Sequence, residues 1–93
     1  MVARKNLRLR VERVLQRRLR SEFGNGARAI VERSDFKDYL HVYVTAKKFA
    51  PLDLGERADL IFRWLREDLT PREVGKVTRL LPLTPAEERL TFG

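Results

Sequence analysis

Residues 39–46 read YLHVYVTA and are the most strand-like stretch of this 93-residue chain. Apolar side chains stand at every second position, which is the period of a strand with one buried face. Residues 27–33, ARAIVER, are a second and shorter strand candidate, and the turn-rich residues 34–38 separate the two. We therefore expect the two strands to pair as an antiparallel, hairpin-like ladder.

Helical patterns flank this ladder. Apolar residues at spacings of three and four predict a helix over 7–22 and another over 54–69, the latter opened by a capping-box pattern. A third strand is predicted over 74–81 and a short last helix over 85–90, which has proline at its first position. The order α-β-β-α-β-α predicts a single α+β domain over 1–93. We expect two layers, with a three-stranded sheet, helices on one face and the other face open.

Composition excludes several kinds of chemistry. The chain has no cysteine, so it forms no disulfide, no thiolate zinc site and no cysteine-ligated iron–sulfur cluster. No apolar run approaches the ~18 residues that a membrane span needs, and residue 1 is not followed by an apolar signal-peptide core. We expect a cytoplasmic protein without a membrane span.

The positive charge is concentrated near the first helix. Residues 1–28 carry nine basic and two acidic side chains, which accounts for the whole net charge of +7, because the remaining residues carry eleven of each sign. Such asymmetry favours an anionic partner. Four arginines share one stripe of the first helix, on the side away from the core: Arg10, Arg13, Arg17 and Arg20. We expect phosphate contacts along this stripe, with residues 1–6 as a flexible basic arm. The alternative is a solvated face of the helix without a ligand.

An aromatic row is expected on the open sheet face, where Tyr39 and Tyr43 flank His41. Aromatic side chains on an open sheet beside arginines stack unpaired bases. The alternative is a cross-strand ladder that only covers the sheet, or the surface of a homodimer. His41 is the only histidine, so it cannot form a usual zinc site, and we interpret it as a surface residue.

Three stretches resemble the BolA family, which has a class-II KH-like fold. The first is VERVLQRRLRSEF running into ARAIVERSD, and the second is the strand YLHVYVTAKKF, which ends in a basic-Phe pair. The third is the helix GERADLIFRWLREDL, followed by a strand and the segment LTPAEE. The resemblance covers residues 11–88 and implies the same α-β-β-α-β-α fold. It also implies a role in binding or regulation rather than catalysis.

The sequence departs from the family at the positions that carry a metal cluster. The family's helix begins with an Arg-His-Arg motif whose histidine is a cluster ligand in complexes with monothiol glutaredoxins. Here the matching residues are Arg57, Ala58 and Asp59, so alanine replaces that histidine. The loop of residues 34–38 offers neither the cysteine nor the histidine that supplies a second ligand in the family. We expect a divergent member without a metal or other cofactor.

The sequence favours two functions of different classes. It contains no P-loop, dinucleotide fingerprint or catalytic constellation, so we expect no enzymatic activity. The leading hypothesis is a nucleic-acid-binding or regulatory module that uses the arginine stripe and the two tyrosines. The alternative is an adaptor that docks a glutaredoxin-like or other protein without a shared iron–sulfur cluster. Its docking residues would be Lys48, Phe49, Arg57 and Trp64. The alternative for Trp64 is partial burial against the last helix.

Overall fold

The computed structural model describes residues 7–92, so the predicted basic arm at residues 1–6 lies outside the described residues. The elements follow one another as α1 (Leu7–Phe23), β1 (Arg28–Arg33), β2 (Leu40–Thr45), a 3-10 turn (Lys47–Phe49), α2 (Leu54–Asp68), α3 (Pro71–Val74), β3 (Val77–Leu83) and α4 (Pro85–Phe92). The α+β class and the order α-β-β-α-β-α are confirmed, with the one-turn helix α3 added. Within residues 7–92, no helix has the length and apolar character needed to cross a bilayer.

The sheet has β2 at its centre, with β1 antiparallel on one side and β3 parallel on the other. Val42 pairs with Val31 of β1 and with Leu80 of β3, so the apolar positions of the three strands fall in register on one face. Helices α1 and α2 cover that face, because their apolar stripes need the same burial. The core they enclose includes Val11, Leu15, Leu19, Val31, Val42, Val44, Phe49, Ile61 and Leu65.

The third strand begins later than its sequence predicts. Residues 74–81 were expected, and the strand spans Val77–Leu83. The reason is a capping box: the Glu73 backbone N–H donates to the Thr70 hydroxyl, and the Thr70 N–H donates to the Glu73 carboxylate. This box, with proline at the first helical position, starts the one-turn helix α3 and delays the strand.

Polar side chains of α1 seal the outer edge of β1. The Gln16 amide accepts from the Ala29 N–H at 3.1 Å and donates to the Ala27 carbonyl at 3.0 Å. One turn earlier, Glu12 accepts from the Val31 N–H at 3.0 Å. An unpaired strand edge is a template for adding another strand, and these bonds occupy it. They also fix the orientation of α1, so its arginine stripe faces away from the sheet.

The last helix covers part of the sheet face that was expected to be open. Phe92 meets Tyr43 edge to face, with ring centroids 5.8 Å apart. Glu88 accepts hydrogen bonds from Thr45 at 2.8 Å and from Arg28 at 2.9 Å. Among the described residues of α4, none is buried, so polar contacts and one aromatic pair hold this helix in place.

Candidate nucleic-acid interface

The structure brings most of the arginine stripe together in one groove. Arg10, Arg13, Arg17 and Arg20 are all exposed on α1. The first three line a groove of about 490 Å³ together with Val14 and with Asp68 of α2. We call this the arginine groove. Arg20 lies on the same stripe but does not line the groove.

Ion pairs divide these cations into two groups. Arg10 is paired with Glu73 of α3, and Arg18 reaches Glu67 at 2.8 Å and Asp68 at 3.3 Å. These ion pairs with α2 explain an arginine at the border of the apolar stripe of α1. The hydrogen bond to Asp68 also raises the pKa of Arg18. Arg13, Arg17 and Arg20 form no ion pair within residues 7–92. These three are the cations available to an external anion.

The acidic partner of Arg10 is itself held in its charged form. The Thr70 backbone N–H and then the Arg10 guanidinium lower the pKa of Glu73 below its ordinary value. At neutral pH this carboxylate therefore offsets Arg10. Asp68, which also lines the groove, is paired with Arg18, so Arg13 and Arg17 are the groove arginines whose charge no ion pair offsets within residues 7–92.

The two predicted stacking tyrosines do not form one open aromatic row. Tyr43 lies in the middle of β2 and is partly covered by Phe92 of α4. Tyr39 precedes β2 and packs at 6.0 Å against Phe36 in the preceding loop. His41, between them, is paired across the sheet with Glu32 and Arg79. Helix α4 therefore covers the expected stacking surface at Tyr43. At Tyr39, the contact with Phe36 takes the place of an open aromatic face.

Three of the four docking residues of the adaptor hypothesis are buried, so the prediction that they form a docking surface is wrong at those positions. Lys48 is exposed, but Phe49 is fully buried, and Arg57 and Trp64 are each 4% exposed. The Trp64 ring packs edge-on against Phe23 of α1 rather than presenting an apolar patch to solvent. The apolar stripe of α2 carries these side chains inward, so a docked partner cannot contact them directly.

Arg57 is the centre of a buried polar network that joins four parts of the chain. Its Nε donates to the carbonyls of Phe49 at 3.0 Å and Leu52 at 2.9 Å. One terminal nitrogen donates to the Pro82 carbonyl at 3.1 Å and to Glu87 at 2.7 Å. The guanidinium also lies 5.7 Å from the centre of the Phe49 ring. The network ties the 3-10 turn, α2, β3 and α4 together.

The structural role of Arg57 had one signal in the sequence. Arg57 precedes Ile61 by four residues and Leu65 by eight, so it lies on the buried stripe of α2. An arginine at such a position has to be hydrogen-bonded inside. Glu87, its partner, also closes the capping box of α4, because the Thr84 N–H donates to its carboxylate at 2.9 Å.

These carboxylates predict an acid-sensitive domain. The Arg57 hydrogen bond, and then the Thr84 backbone, lower the pKa of Glu87 from 4.5 to about 2. The pKa of Glu88 is also lowered, first by Thr45 and then by Arg28. A carboxylate whose pKa is depressed on folding stabilises the native state above its unfolded pKa, and this contribution is lost as pH falls through its folded pKa. We expect urea midpoints to fall from about pH 4.5 towards pH 2. Glu87→Gln should flatten that decline, and an unchanged profile would contradict this role.

The donor set does not fit the metal cluster of the family that the sequence resembles. Ala58 offers no ligand, the chain has no cysteine, and its one histidine lies within β2. Across residues 7–92, no three histidine or acidic side chains are grouped so that they could hold one metal ion.

The fold is of the BolA-like type: two helices cover one face of a three-stranded mixed sheet in the order α-β-β-α-β-α. The chain is similar to the solved structure of BolA1 from Arabidopsis thaliana, with a TM-score of 0.59 and 21% sequence identity. The match covers 88% of this chain and 95% of that one. No protein-family model matches the sequence, and a search of curated proteins found no match. At this identity the likeness establishes the fold alone.

Proposed function

We propose that this BolA-like domain is a small, non-enzymatic, cytoplasmic module that binds nucleic acid through the arginine groove. The observation that supports the proposal is the pair Arg13 and Arg17. Both are exposed, both line the groove, and neither forms an ion pair within residues 7–92. A solvated charged face of a helix usually carries both signs, whereas three successive groove arginines lie here on one stripe of α1.

The chemistry of arginine fits a phosphate ligand. Its planar guanidinium donates two parallel hydrogen bonds to a phosphate, and it is less strongly hydrated than a lysine ammonium. Arg17 follows Arg13 by four positions, which is a rise of about 6 Å along α1. Two side chains in this arrangement contact successive groups of one polyanionic backbone. A regulatory role would follow from occupancy of this groove.

The proposal predicts salt-dependent binding. Neutralising several phosphates releases counterions, so affinity for short labelled RNA or DNA should fall by about tenfold or more between about 50 and 200 mM salt. Fluorescence anisotropy of each oligonucleotide against the full chain measures this directly. Absence of binding at the lower salt overturns the proposal. The adaptor hypothesis then remains, with Lys48 as the one member of its predicted set at the surface.

A further inference from the structure

An exposed aromatic side chain, which the sequence did not single out, lies in the turn that connects β1 and β2. Phe36 is 63% exposed, the highest exposure of any aromatic side chain within residues 7–92. The turn that carries Phe36 is held by two hydrogen bonds. The Phe36 N–H donates to the Ser34 hydroxyl at 3.0 Å, and the Ser34 N–H donates to the Tyr39 carbonyl at 2.8 Å. Lys37 has φ of 57°, a left-handed conformation that favours glycine or asparagine.

Two lysines surround the aromatic pair at this turn. The Lys37 ammonium is 5.3 Å from the centre of the Phe36 ring, and the Lys76 ammonium is 5.8 Å from that of Tyr39. We call Phe36, Lys37, Tyr39 and Lys76 the hairpin-end cluster. Asp38 is the acidic side chain beside it and is paired with Lys76 at 2.9 Å. A single exposed phenylalanine is ordinary, but aromatic rings bracketed by cations are the combination that holds a base and its phosphate.

The hairpin-end cluster is connected to the arginine groove through α3. Glu73 is paired with Arg10 at the end of the groove, and its carbonyl accepts from the Lys76 N–H at 3.1 Å. The Lys76 side chain then lies over Tyr39. These contacts place the hairpin-end cluster next to the Arg10 end of the arginine groove, with Glu73 and Asp38 as the acidic side chains between them. One chain of nucleotides has to contact both places for the two to act together.

We infer that Phe36 is a base-stacking residue and that the domain selects single-stranded over duplex nucleic acid. This inference rests on the proposed function, because the arginine groove supplies the phosphate contacts. The base faces of a duplex are already covered by their neighbours, and exposing one costs unstacking energy. A single strand offers a free base face to the exposed side of Phe36 while its backbone lies against Arg13 and Arg17. An acidic peptide would use the same cations but would gain little from the ring.

Replacing Phe36 tests the inference. Phe36→Ala should weaken binding of a short labelled single strand by about tenfold, the loss expected for one stacked base, and leave binding of the matching duplex unchanged. Phe36→Tyr, which keeps the ring, should retain the affinity. The matched control is Phe92→Ala, which removes a similarly exposed ring from α4. Phe36 and Phe92 are both exposed, and urea midpoints close to wild type check that both variants fold, because Phe92 also contacts Tyr43.

The outcomes separate this inference from the proposed function. If the wild-type chain binds single strand and duplex equally and Phe36→Ala changes neither, the inference is wrong while the arginine groove stands. A larger loss of affinity in Phe92→Ala than in Phe36→Ala also overturns it, because stacking then lies on the sheet face. If neither nucleic acid binds at about 50 mM salt, the proposed function fails and this inference fails with it.

Discussion

Arg57→Ala is expected to lower the free energy of unfolding by about 3 kcal/mol, because it removes the guanidinium donor from three backbone carbonyls, of which that of Phe49 also accepts from the Leu52 backbone N–H. Those carbonyls belong to Phe49, Leu52 and Pro82. The substitution also removes the guanidinium from the Phe49 ring and leaves a void beside a fully buried side chain. The total free energy of unfolding of a small domain is only about 5–15 kcal/mol, so this loss is a large share of its stability.

The loss in free energy of unfolding should depend on the hydrogen-bond geometry of the side chain at position 57 rather than on its charge. Arg57→Lys keeps a cation but replaces the planar fork with a point charge, which cannot reach carbonyls on two sides. We expect an intermediate loss for Arg57→Lys. Glu87→Gln should cost much less at neutral pH, because Glu87 is partly exposed and glutamine still closes a capping box.

Urea denaturation at neutral pH measures these differences through the midpoint at constant m-value. Arg63→Ala is the matched control, since Arg63 is an exposed arginine of the same helix and its loss should stay within about 0.5 kcal/mol. Equal midpoints for Arg57→Ala and Arg63→Ala would show that the buried network does not hold the domain together. A larger loss in Glu87→Gln than in Arg57→Lys would assign the stability to charge instead.

Local patterns predicted most of the fold from sequence because they report burial directly. The alternation in residues 39–46 and the helical spacing in residues 7–22 each depend on neighbours within one element. The start of β3 was missed because the Thr70 and Glu73 capping box competes with strand pairing. Such competition is decided by the hydrogen bonds that form, and composition alone does not settle it.

The candidate site was less predictable because its electrostatics depend on contacts between distant residues. The stripe on α1 could be seen from spacing, but the pairing of Arg10 with Glu73 joins residues 63 positions apart. Arg57 was expected at a docking surface because of the resemblance to the BolA family, and an arginine is rarely buried without partners. Its partners come from the 3-10 turn, β3 and α4, and only the folded chain assembles them. The exposure of Phe36 likewise follows from how its turn is built.

The double variant Arg13→Glu, Arg17→Glu should abolish nucleic-acid binding, weakening it by about 100-fold or more at about 50 mM salt. Each substitution replaces a phosphate-binding cation with a repelling anion. Any residual binding should show a salt slope reduced by about two, one for each lost phosphate contact. The fold should tolerate the changes, because neither arginine forms an ion pair within residues 7–92. Urea midpoints close to wild type check this.

A matched control decides whether position or total charge is responsible. Arg63→Glu, Arg66→Glu changes the net charge by the same amount at two exposed arginines of α2 that do not line the arginine groove. A local phosphate site predicts that this control keeps most of the affinity, since neither side chain lines the groove and salt weakens the attraction of exposed charges that do not contact the phosphates. Equal losses in the two double variants would mean that the chain attracts polyanions through its overall charge. The groove would then be no more than a solvated face of α1.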